Sequence, residues 1–154
     1  LITGMLLFSG IGALFSGRIV DRCRTVMPGI FAAIAVLLIL GAFFYDQLLI
    51  EIGQWPNYPL RMTACVALLA PAAFLMGFPF PTAMAMLSRL GKDRFFIWAW
   101  GINGTFSVIG AVAVPILSVT YGQSIPILSA AVLYLIAWPA FYAVLAPPPG
   151  GAPS

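Results

Sequence analysis

Apolar residues fall in long unbroken runs separated by short polar punctuation, and neither the two-residue alternation of a half-buried strand nor a soluble amphipathic helix pattern dominates. Five runs approach the roughly 20 residues that a helix rising about 1.5 Å per residue needs to cross hydrocarbon. They are Leu1 to Ile19, Pro28 to Tyr45, Met62 to about Leu87, Ile97 to about Tyr121, and Ile125 to Leu145. A transmembrane barrel strand would alternate over about 10 residues. The pattern therefore predicts an all-α polytopic transmembrane helix bundle of about five spans, occupying residues 1–146.

Between the second and third runs, DQLLIEIGQWP (Asp46 to Pro56) sets Leu48, Leu49, Ile52 and Trp55 opposite Gln47, Glu51 and Gln54, which predicts a short helix lying in the interface. The end of the chain, PPPGGAPS (Pro147 to Ser154), can neither continue a helix nor bury a core, and reads as a disordered tail. Leu1 already lies inside an apolar run with no initiator Met or basic region before it, so a fragment of a longer protein is expected.

Composition strengthens the membrane reading: 62% of residues are hydrophobic and only 7% charged, against about 25% charged in soluble domains. Six of the seven basic residues fall in two segments, Arg18, Arg22 and Arg24, then Arg89, Lys92 and Arg94. The positive-inside rule puts both loops in the cytoplasm and the tail with them. The net charge of +3 is explained by this asymmetry, with lipid headgroups and not nucleic acid as the partner. Cys23 falls in a cytoplasmic loop and Cys65 near the opposite end of the third span, too far apart for a disulfide.

Three stretches carry candidate chemistry. In the first span, Phe8 to Gly17 (FSGIGALFSG) sets Gly12 and Ser16 four apart, spacing that lets helix backbones approach in lipid. Its Gly10-Ile11-Gly12 is no dinucleotide fingerprint, because the third glycine, the preceding strand and the following acid are missing. The fourth span carries a narrow small and polar stripe of Asn103, Ser107, Gly110 or Ala111, Val114 and Ser118 beyond the anchors Trp98 and Trp100. A buried amide needs a partner, so Asn103 is expected to face other helices. Packing of the first span against the fourth through Gly12, Ser16, Gly104 and Gly110 is the corresponding expectation.

The third span contains MGFPFP, with Gly77, Pro79 and Pro81 inside an apolar run. Proline lacks the amide hydrogen and clashes with the carbonyl one turn back, so the span should break. Freed carbonyls near Leu75 and Gly77 would need water, a side chain or a ligand. Broken helices of this kind line binding sites in many transporters, and a site joining Gly77, Pro79 and Pro81 to Asn103 and Ser107 is expected, beside the plain structural kink.

FSGIGALFSGR, MGFPFPTAM and WAWGINGTFSVIGAV, followed by YGQS and LYLIAW, resemble the membrane-embedded C-terminal region of bacterial spermidine-synthase-like polytopic proteins. Thr82 and Ala83 stand where that pattern tends to carry Leu-Gly. The resemblance implies a bacterial inner-membrane protein whose helices anchor a soluble aminopropyltransferase-like domain and offer a small-molecule path to it. The chain itself has no His, only four acids, and no glycine-rich strand-to-helix turn, so neither catalytic residues nor a cofactor or metal site is expected in it. GRIVDRCR (Gly17 to Arg24) also resembles the cytoplasmic loop signature of the major facilitator superfamily, with Cys23 and Arg24 departing from it, which keeps a transporter fragment as the second reading. In a basic loop, Asp21 reads more simply as a local charge pair. A purely structural anchor is the third reading.

Overall fold

The structure is a computed structural model that describes residues 2–91 and 93–145. Lys92 and the Pro/Gly tail lie outside the described residues. Among those described there are helices and no strands: α1 (Ile2–Ile19), a 3-10 turn (Val20–Arg22), α2 (Cys23–Gly53), α3 (Tyr58–Met76), α4 (Pro79–Arg89), α5 (Asp93–Tyr121) and α6 (Ser124–Leu145). Hydrocarbon offers no partner for backbone N–H and C=O groups, and a helix satisfies them within its own segment, so apolar runs of this length become helices.

Four stretches are long and apolar enough to cross a membrane: Ile2–Gly53, Tyr58–Arg89, Arg94–Tyr121 and Ser124–Ala143. The first joins α1 and α2 through the 3-10 turn, and contacts give the direction of each part. Gly4 abuts Val66 and Gly12 abuts Phe74, so α1 runs parallel to α3. Cys23 meets Met86, while Leu38 and Ala42 share a cavity wall with Leu69 and Ala72, so α2 runs antiparallel to α3 and α4. The chain therefore doubles back at Val20–Arg22. Two glycines with positive φ, Gly91 (65°) and Gly122 (87°), follow α4 and α5 closely, where a left-handed residue ends a helix without a Cβ penalty.

Helix α2 is the centre of the bundle. Met27, Ile30, Phe31, Ile34 and Leu38 recur at three- and four-residue spacing and are buried with Cys23, Phe78 and Ala131 in one cluster. Helix α6 lies antiparallel along α2: the Ser124 hydroxyl donates to the Ala42 carbonyl at 3.0 Å, and the Tyr142 hydroxyl donates to the Arg24 carbonyl at the other end. The second bond has a local cause. Pro28 sits inside α2 and has no N–H to give the carbonyl four residues back, which is that of Arg24, and Tyr142 takes its place.

Two boundaries differ from the sequence reading. Residues 46–53 do not form a separate interfacial helix but continue α2, because nothing between Tyr45 and Gly53 breaks a helix. Its 31 residues reach about 46 Å, longer than the roughly 30 Å of hydrocarbon. Helix α5 packs only lightly, against α4 and α6. Trp98 and Trp100 remain 72% and 62% exposed on it.

Candidate functional site

The backbones of α1 and the end of α3 approach closely where the two cross. A Cβ added to Gly12 would lie 2.1 Å from the Phe74 carbonyl oxygen, and one added to Gly77 would lie 2.1 Å from the Ser9 carbonyl oxygen. Each glycine thus meets a carbonyl of the other strand of the crossing. This is the close approach that small residues provide between helices in lipid, with Cα–H groups set against carbonyl oxygens. Ser16, one turn on from Gly12, is also buried and donates to Ala13 O at 2.7 Å.

Gly77 and Phe78 are the only residues between α3 and α4. Both keep right-handed helical angles, φ −70° and ψ −18° for Gly77 and φ −82° and ψ −43° for Phe78. Their amides tighten onto carbonyls three residues back, Gly77 to Phe74 and Phe78 to Leu75, both at 3.1 Å. The expected non-helical segment with an open Leu75 carbonyl is therefore corrected to a tight two-residue step. Pro79 and Pro81 then occupy the first and third positions of α4, where amide hydrogens have no intrahelical partner to lose. The first α4 bond runs from Thr82 N to Phe78 O at 3.1 Å.

Two cavities lie on either side of this step. One, of about 320 Å³, opens toward the end of the bundle that carries Asp46. Tyr45, Asp46, Gln123 and Ser124 give it polar edges, and Leu38, Ala72 and Met76 form its apolar depth. Tyr45 lays its ring over Gly41, where an added Cβ would come within 2.4 Å of the ring. The other, an apolar groove of about 410 Å³, begins at Pro79 and runs between α4 and α6 over Phe31 toward the basic loops. Buried Phe78, Ile34 and Ala131 belong to the core cluster between them. Thr82 is fully buried here, and its hydroxyl has no hydrogen-bond partner among the described residues.

The remaining expected site residues lie elsewhere. Asn103 and Ser107 are exposed on α5, and their recorded bond is local, from Ser107 Oγ to Asn103 O at 2.8 Å. No hydrogen bond links the Asn103 amide to Gly77–Pro81. Gly104 and Gly110 have nothing within 4 Å of an added Cβ, so the small face of α1 packs on α3 and not on the fourth apolar run. The reason is geometric: α5 follows α4 and docks beside α6 and α4, while α1 packs on α3 and α4.

At the basic end, Asp21 does not pair within its own loop. It accepts a 2.5 Å ion pair from Arg89 at the end of α4, with the two side chains 77% and 53% exposed respectively. Cys23 Sγ lies 3.6 Å from Met86 Sδ beside it. Arg18 stacks on Phe15 at 4.8 Å, while Arg22, Arg24 and Arg94 are exposed. Among the described residues no group of three or more His, Cys, Asp or Glu is placed to hold a metal ion.

Thr82, Phe78 and Tyr142 were not legible as site residues in the sequence. Only Tyr142 had a signal, the carbonyl that Pro28 strands, and that signal names the acceptor but not the donor. Comparison with family models, curated proteins and solved structures gives no match to this chain.

Proposed function

We propose that this chain is the membrane-embedded domain of a spermidine-synthase-like polytopic protein, crossing a bacterial inner membrane five times with both basic loops in the cytoplasm. Two features support five crossings over four. The Ile2–Gly53 stretch has 52 residues and would extend about 78 Å if straight, more than twice the hydrocarbon thickness; and α1 and α2 run in opposite directions. The third crossing is then α3 plus α4, stepped at Gly77–Phe78.

On this reading the domain anchors a catalytic domain of the same polypeptide and admits a small organic cation from the outer side. The observation that carries it is the cavity ending on Met76, whose wall includes one acid, Asp46, with Tyr45, Gln123 and Ser124. A lone carboxylate at an apolar cavity favours a cation, and the neighbouring ring adds a face on which an ammonium can rest. Spermidine added to the full chain in detergent should raise the melting temperature saturably, and Asp46→Asn should abolish the shift. Absence of a shift, or a shift that survives Asp46→Asn, would remove the reading.

The cross-loop pair Asp21–Arg89 favours one second reading, a transporter fragment in which this pair holds the basic end closed. Asp21→Asn would then speed labelling of Cys23, now buried beside Met86. Unchanged labelling would leave the pair as a surface contact, worth about 0–1 kcal/mol.

A further inference from the structure

The groove between α4 and α6 is unlike the cavity near Asp46. Its walls are Pro79, Ala83 and Leu87 on one side and Tyr134, Ala137 and Phe141 on the other. From Pro79 to Leu87 it runs along eight helical steps, about 12 Å, close to the roughly 15 Å depth of one leaflet's hydrocarbon. Small residues, Ala83 on one wall and Ala137 on the other, leave it open as a slot.

Its polarity changes abruptly at one end. Arg89 follows Leu87 by two residues, and Arg24 lies two turns before Phe31 on the same face of α2. Tyr142, next to Phe141, donates to the Arg24 carbonyl and so brings that end of α2 up to the groove. The two loops together hold six basic residues against two acids, Asp21 and Asp93, so even with Asp21 paired to Arg89 they keep a net positive charge.

An apolar slot of one leaflet's depth whose end adjoins the arginine-bearing ends of α2 and α4 matches a molecule with an acyl chain and an anionic head. We propose that this groove is a binding site for one anionic phospholipid, its chain between α4 and α6 and its phosphate at Arg24 and Arg89. The charge decides between lipids: a neutral zwitterionic headgroup gains little from the rim, whereas an anionic headgroup is attracted by each guanidinium near it. A peptide helix, about 10 Å across with its side chains, would gain nothing from the rim unless it too were acidic.

The test uses the full chain purified in nonionic detergent, with phosphatidylglycerol or phosphatidylcholine added, and counts retained lipids by native mass spectrometry. One phosphatidylglycerol should be retained and phosphatidylcholine should not. Ala83→Phe or Ala137→Phe, which fill the slot, should lose it. Arg24→Gln with Arg89→Gln should cut the preference for phosphatidylglycerol on the order of tenfold. Both arginines are exposed, so this pair tests the proposal even if a filled slot fails to assemble. Equal retention of the two lipids, or retention unaffected by the arginine pair, would overturn it. So would a species of two chains that the slot-filling variants convert to one, because the groove would then hold a second copy.

Discussion

Adding one methyl group at Gly77 should be among the most damaging small substitutions in this chain. The added Cβ would lie 2.1 Å from Ser9 O and 2.9 Å from Ala13 N, both backbone atoms that no rotamer change can move. An ordinary carbon–oxygen contact needs about 3.3 Å, so α1 and the α3–α4 step must separate by roughly 1.2 Å, a shift that overpacking data price at about 1–3 kcal/mol. Gly12→Ala meets the Phe74 carbonyl at the same 2.1 Å and should cost a similar amount. Because a single displacement of α1 relieves both clashes, the double variant should cost clearly less than the sum of the two singles. Gly10→Ala and Gly110→Ala are the controls: neither meets anything within 4 Å, and each should be neutral or stabilising by up to about 1 kcal/mol through helix propensity. Reversible unfolding in mixed micelles, followed by circular dichroism, gives the values for the four single variants and the double. If Gly77→Ala were as stable as Gly10→Ala, or if the two clashing singles added fully, the crossing described above would be wrong.

Two further outcomes follow from hydrogen bonds that the chain makes or omits. Tyr142→Phe should destabilise by about 1 kcal/mol, since it strands the Arg24 carbonyl, and the loss should shrink in a Pro28→Ala background, where residue 28 regains the N–H that reaches that carbonyl; equal losses in both backgrounds would refute the link. Thr82→Val removes a buried hydroxyl that has no partner among the described residues and should be neutral or stabilising by about 1 kcal/mol in the same unfolding assay. A clear destabilisation would mean that Oγ1 holds a polar group in the membrane.

Helix content was legible because each helix closes its own hydrogen bonds: an apolar run long enough to cross hydrocarbon has no other way to satisfy its backbone. The turn at Val20–Arg22 was marked by the charges around it. MGFPFP announced an interruption, since two prolines in one turn cannot sit within a continuous ladder. What the motif does with the interruption was decided elsewhere. Ser9 and Ala13, more than sixty positions away, bring α1 onto Gly77, while the prolines cost nothing because the new helix starts at the first of them.

The same limit explains the glycines. Gly12 and Gly110 sit in similar local sequence, yet one is pressed against a carbonyl and the other faces open space. Spacing tells a helix which face is small, but which neighbour covers it depends on how the helices pack against one another. Asp21 makes the point for charge: three arginines lie within three residues of it along the chain, and it pairs with Arg89, because the reversal at Val20–Arg22 and the end of α4 arrive at the same corner. Local hydrogen bonding and hydrophobic length were written in the sequence. Partner choice was a property of the packed bundle.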